Sequence, residues 1–172
     1  MRKKSSRDPG QVPYGLLTGI AAGLIAGAAA GQSDRLFGRF VSSAQKRRER
    51  QVREGSAHEM AGPYFAGKIS GKKLTREEMK RATRIFGLAY GVVWGLIYGG
   101  LRKKYPTVSR WAGLPFAIPF FFACDGTLAP ILKISPNLRR IPWQLNVKEM
   151  GNHIAWTMAA EMVHRGLSRK LR

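Results

Sequence analysis

Apolar positions along the chain collect into four runs, near residues 12–31, 85–101, 111–132 and 147–167, separated by polar and basic segments. A helix of about 20 residues covers the ~30 Å hydrocarbon layer of a bilayer. Inside that layer the backbone finds no water to bond, so an apolar run of this length is helical whatever its local propensities. The pattern predicts an all-α fold, a multi-pass membrane helix bundle with about four membrane-embedded helices. Its termini are expected on one side.

The first run, YGLLTGIAAGLIAGAAAG, carries glycine at every fourth position: Gly15, Gly19, Gly23, Gly27 and Gly31. In water each interior glycine would cost about 1 kcal/mol relative to alanine. In lipid the same row is a bare ridge along which another helix approaches closely. The phrase returns in GLAYGVVWGLIYG, with Gly87, Gly91, Gly95 and Gly99 at the same spacing. Two such ridges predict that the first two spans pack on each other, with another subunit as the alternative occupant.

Residues 1–11 read as a mobile basic tail ahead of a single membrane domain over 12–172. The N-terminus begins like a signal peptide, but its apolar run is long and lacks a small-residue cleavage context, which predicts a retained span. Leu36, Phe37, Phe40 and Val41 continue the helical spacing beyond the first run. Residues 45–84 form the extramembrane connection, in which QKRRERQVRE is charged on every face and AGPYFAGKISGKKL is expected to be broken by Pro63 and its glycines. Thr75 and Glu78 have the spacing of a capping box that opens the helix running into span two. Pro115, Pro119 and Pro130 predict a kinked or broken third helix. In the last run Glu149, Asn152, His153, Thr157, Glu161 and His164 share one side of a helix, and Val147, Gly151, Ile154, Ala155, Met158 and Met162 share the other. Such a helix either turns its polar side into the bundle or lies in the interface. The first is the expectation.

Charge changes the picture only in naming partners. With 30 Lys and Arg against 10 Asp and Glu, the net charge is +20, a balance often associated with nucleic acid. Here the basic residues cluster at the ends of the apolar runs, where Lys and Arg snorkel toward anionic lipid headgroups. Anionic membrane lipids are the expected partners, and no nucleic acid. Because every loop is basic, charge asymmetry does not orient the chain. Cys124 is the only cysteine, which excludes an intramolecular disulfide and a CxxC metal site.

Four ionisable residues within the spans form a candidate polar cluster: Asp125, Glu149, His153 and Glu161. Such groups cost several kcal/mol in lipid, on the order of 2–4, unless paired, hydrated or neutralised. They read either as a proton relay or solute site between the third and fourth helices, or as an interhelical hydrogen-bond cluster. In both readings Asp125 and His153 face each other. Glu161 and His164 have the spacing of half a di-iron site, but the second half is missing, so no metal and no cofactor are expected. Phosphate loops, nucleophile elbows and zinc-protease motifs are absent, and no catalytic residue is assigned. The chain is not read as an enzyme.

In order and spacing, several segments together resemble the YagU-like family of uncharacterised bacterial inner-membrane proteins. They are GLLTGIAAGLIAG; KISGKKLTREEMK leading into GLAYGVVWGLIYG; Asp125-Gly126 with Pro130 ahead of Ile134-Ser135-Pro136; and PWQLNVKEMGNHIAW. In the last of these, Glu149 and His153 match the family's acidic residue and histidine four apart. The resemblance runs from about Tyr14 to Arg169. Lys133 departs from it, standing where the family usually has glycine, which leaves the following turn open to differ. The resemblance implies a multi-pass protein of the bacterial inner (plasma) membrane and brings no reaction with it. The expected function is an accessory or scaffold subunit packing, with itself or other membrane subunits, into a larger bacterial membrane assembly; the alternative is a small proton- or solute-handling protein using the Asp/Glu/His cluster.

Overall fold

The computed structural model describes residues 11–170, and among them every regular element is helical. The tail expected over 1–11 lies outside the described residues except for Gln11, which opens the first helix. Helix α1 spans Gln11–Phe40, α2 Ser43–Val52, α3 Ala57–Ser70 and α4 Arg76–Lys104. A 3₁₀ segment, Pro106–Gly113, leads to α5 (Leu114–Ala123), a π turn (Cys124–Leu128) and the short α6 (Ala129–Ile131). After a 3₁₀ turn at Leu138–Arg140, α7 spans Trp143–Lys170.

Among the described residues, three stretches are long and apolar enough to cross a membrane: Gly15–Phe40, Arg76–Lys104 and Pro106–Ile131. Leu17, Ile25, Leu88, Val93, Ile118 and Phe122 are exposed on their outer faces. Helix α7 packs against α1 and α5 as the fourth long helix, but it is not among the stretches that qualify on composition. Its polar side is turned inward: Glu149, Asn152, Thr157, Glu161 and His164 are buried, while Val147, Met158 and Met162 face out. This inside-out distribution is what a helix requires when its outer surroundings are apolar. The start of α1 and the end of α7 lie at one end of the bundle, since Gly19 and His164 both pack beside Gly99.

Helices α1 and α4 meet through part of the two glycine rows. A Cβ at Gly23 would collide with the carbonyl oxygen of Gly91 and stand 2.7 Å from its carbonyl carbon. At Gly95 it would stand 2.7 Å from Gly23 Cα and 2.8 Å from Gly23 N. Gly19 faces Gly95 and Leu96. The rows are not used throughout: among the described residues a Cβ at Gly15, Gly27 or Gly31 would meet nothing within 4 Å, while Gly87 faces His58 and Gly99 faces His164.

The stretch expected to be broken at Pro63 is a continuous helix, α3. Ser56 and Glu59 close a capping box at its start. Pro63 offers no N–H to the carbonyl of Glu59, and the hydroxyl of Thr83 on α4 lies 3.1 Å from that oxygen. Gly62 allows the close approach, a Cβ there standing 2.7 Å from Thr83 Cα. The capping box at Thr75 and Glu78 heads α4, which runs unbroken into the second apolar stretch.

The third run breaks ahead of its prolines. Trp111, Ala112 and Gly113 take φ of 45°, 55° and 88°, so helix begins only at Leu114, with Pro115 in its first turn. Further on, Thr127 Oγ1 donates to the carbonyl of Phe122 at 3.0 Å, within the π turn that precedes Pro130. Helix α6 then ends in a Schellman turn. Ile134 N–H bonds Ala129 O at 2.9 Å, Lys133 N–H bonds Pro130 O at 3.0 Å, and Lys133 sits at φ 57°. The turn is therefore kept, with lysine in a conformation that favours glycine.

Two predictions follow from these contacts. Gly23→Leu and Gly95→Leu should each disrupt the bundle by more than the about 1–3 kcal/mol of ordinary overpacking, because the obstacle is backbone. Gly15→Leu should be tolerated; equal detergent stability for all three variants would show that the rows do not set the α1–α4 distance. Lys133→Gly should stabilise by about 1 kcal/mol by removing a left-handed lysine, read as a raised thermal midpoint.

Candidate functional site

At the end of the bundle where α1 finishes and α7 begins, five charged side chains alternate in sign. Lys148 Nζ lies 2.7 Å from Asp34 Oδ1 and 3.5 Å from Glu149 Oε1. Arg53 Nη2 lies 3.5 Å from the same Glu149 oxygen and 2.7 Å from Glu49. Asn152 Nδ2 donates to Asp34 at 2.8 Å and to Glu149 at 3.3 Å. Ser33 Oγ stands 2.8 Å from Asn152 Oδ1. The ladder joins α1, the end of α2 and α7, and it gives buried Glu149 two cationic neighbours.

Asp125, in the π turn, stands apart from this ladder. His153 Nε2 lies 3.4 Å from its Oδ2, and among the described residues no Lys or Arg comes within ion-pairing distance of it. His153 Nδ1 lies 2.9 Å from the backbone carbonyl of Glu149, which can only accept, so Nδ1 carries a proton. In a neutral ring Nε2 then presents its lone pair to Asp125. At 3.4 Å the two groups are within ion-pairing distance, a longer separation than that of a usual hydrogen bond.

Glu161 is not part of this group. It lies eight residues further along α7, about 12 Å at 1.5 Å per residue, at the opposite end of the bundle. Arg102 donates to both its oxygens at 2.9 and 3.0 Å, Arg165 donates at 2.7 Å and the Tyr98 hydroxyl at 2.7 Å. The carboxylate is 1 % exposed and fully bonded, which marks it as a clamp between α4 and α7. Of the four residues singled out in the sequence, the structure brings Asp125, His153 and Glu149 together and leaves Glu161 elsewhere. Among the described residues no three His, Cys, Asp or Glu converge as metal ligands.

Sequence reasoning missed Arg53, Lys148, Asp34 and Asn152. Arg53 closes a uniformly charged segment and looks like one more solvated arginine. The spacing of Glu49 and Arg53 offered a faint signal, being i,i+4 on one helix face. Asp34, the lone acid among the basic residues that follow the first run, was a second such signal.

Asp125, His153, Glu149 and Asn152 line one end of an open cavity of about 1120 Å³. Its walls are largely aromatic: Phe86, Tyr90 and Trp94 from α4, Phe120 from α5, Trp156 from α7 and His58 from α3. Trp94 and Phe120 pack at 4.3 Å between centroids, and Phe120 meets His153 edge-on at 4.6 Å. Gly27 and Gly31 of α1 form part of the opposite wall.

Apolar outer faces, a buried polar interior and a polar-ended cavity define an integral helical membrane protein. Residues 68–162 match the family described as protein of unknown function (DUF1440), and the chain belongs to that family. The matched segment holds α4, Asp125, Glu149, His153 and Glu161, whereas α1 and Arg53 precede it. The chain is also 23% identical over 84 residues to the inner membrane protein YagU of Escherichia coli (strain K12), covering 49% of this chain and 41% of that protein. It thus spans less than half the length of this relative. No solved structure matches.

The Glu161 clamp yields a direct test. Glu161→Gln places an amide N–H₂ against the donors of two partly exposed arginines and should destabilise by about 1–3 kcal/mol. Thermal unfolding in detergent measures it, and an unchanged midpoint would show that the clamp does not hold α4 to α7.

Proposed function

We propose that this protein is a small proton- or solute-handling protein of the bacterial inner membrane, working at Asp125 and His153. The observation that supports the reading is the position of these two groups, in contact at the end of an open, aromatic-walled cavity. A carboxyl and an imidazole in contact can exchange a proton with little movement of heavy atoms. The neighbouring ladder neutralises Glu149 and fixes the start of α7, which keeps His153 aimed at Asp125. No catalytic step is proposed. The inner-membrane placement rests on the YagU relative's description.

A second reading is an accessory subunit, supported by Gly27 and Gly31. Neither has a described neighbour within 4 Å, and together they present a smooth strip that suits a helix of another subunit. A partner copurifying in mild detergent, and lost on Gly27→Leu, would favour it.

For the main reading, Asp125→Asn should change stability by less than about 1 kcal/mol, because an amide still bonds the imidazole. Proton flux in proteoliposomes should fall to that of empty vesicles, because the amide does not titrate. Asp125→Leu should destabilise by about 1–3 kcal/mol by stranding His153. Wild-type flux in Asp125→Asn would reject the proton reading. Lost stability with unchanged flux per folded molecule would leave a structural hydrogen bond only.

A further inference from the structure

Of the four acids that line the cavity, Glu149 and Asp34 have a cation beside them, and Glu59 caps α3 by accepting from the Ser56 N–H. Glu149 has Arg53 and Lys148, and Asp34 has Lys148. Asp125 has only the imidazole of His153, and its side chain remains 12 % exposed toward the cavity it lines. The walls above it are six aromatic rings in mutual contact. Tyr90 sits between Phe86, at 5.5 Å, and Phe120, at 6.1 Å, while His58 closes on Tyr90 at 5.4 Å. The faces of such rings carry negative electrostatic potential and attract cations at a range of about 6 Å. The cationic side chains that also line the cavity, Arg35 and Arg84, are exposed on the outer surface.

We propose that this cavity binds a lipophilic organic cation, an amphiphilic amine, quaternary ammonium or phosphonium compound, with its charge on Asp125 and its apolar groups among the aromatic rings of α4, α5 and α7. The inference rests on the cavity and cluster of the preceding reading and adds the chemistry of the solute. A carboxylate without a Lys or Arg beside it, set in aromatic surroundings, discriminates by charge, since a cation meets both the carboxylate and the ring faces whereas an anion of equal size meets repulsion from both. The volume exceeds the roughly 300–1,000 Å³ that encloses drug-sized ligands, so shape selects weakly. Charge and hydrophobicity are then the determinants, and cations of quite different outline should compete.

The test uses two probes of nearly identical shape and opposite charge, tetraphenylphosphonium and tetraphenylborate. Binding is measured by equilibrium dialysis on the purified full chain in detergent, against protein-free micelles. Tetraphenylphosphonium should bind near one per chain, and tetraphenylborate at least about tenfold more weakly, a difference of about 1.4 kcal/mol. Asp125→Asn should weaken phosphonium binding about tenfold or more, Asp125→Glu should retain most of it, and Trp94→Ala should cost about threefold. Equal binding of both probes would overturn the proposal in favour of a charge-blind groove filled by lipid chains. Preference for the borate would overturn it in favour of an anionic amphiphile held by Arg35 and Arg84. The wild-type comparison needs no variant to fold. Phosphonium binding without proton flux would sustain this inference and reject proton handling; Asp125-dependent flux without phosphonium binding would do the reverse.

Discussion

The contact on which the bundle depends is backbone against backbone, where Gly23 of α1 meets Gly91 and Gly95 of α4. Helices packed through ordinary side chains keep their axes about 8–10 Å apart. Here the first two long helices pinch together over Gly19–Gly23 and Gly91–Gly95. Beyond the pinch their unused glycines, Gly27 and Gly31, line open space instead of a neighbour. One repeated sequence phrase thus produces both a backbone-to-backbone contact and part of the wall of the cavity.

Helix α7 solves a different problem. It carries more polar groups than an apolar environment tolerates on a helix surface, and its two acids, Glu149 and Glu161, are turned inward to cationic partners. The two ends use different partners. One end is a closed clamp, Glu161 saturated by two arginines and a tyrosine, which has no capacity left for chemistry. The other is graded, with a fully paired ladder that abuts an acid and a histidine lacking such pairing. Rigid support at one end and an incompletely satisfied pair at the other is the arrangement in which a solute or proton finds both a place and a response.

Much of this was legible in the residues. Periodicity placed the four long helices. Thr75 and Glu78 marked the start of α4, and the split of α7 into polar and apolar sides foretold which side turns inward. The glycine rows gave the identity of the packed pair but not the extent of contact, because equal spacing says nothing about where two ridges diverge. Glu161 looked equivalent to Asp125 by type and burial. It differs because Arg102 and Arg165 reach it from one turn past the apolar stretch and one turn along its own helix, distances that depend on the relative register of α4 and α7. Arg53 was illegible for the same reason. Its isolation from solvent comes from α7, nearly a hundred residues away. Pro63 misled in the opposite direction, since a helix breaker is judged on its own strand of sequence and the hydroxyl that compensates for it is on another helix.

That compensation has an evolutionary corollary. The hydroxyl of Thr83 stands 3.1 Å from the carbonyls of both Glu59 and Met79 and has one proton to give. A proline at position 63 is therefore favoured by a hydroxyl at position 83, which bonds Met79 on its own helix when it does not serve Glu59. The two positions, twenty residues apart and on different helices, should change together across descendants of this chain. They record the contact of α3 with α4 in a form that survives drift of the surrounding apolar residues.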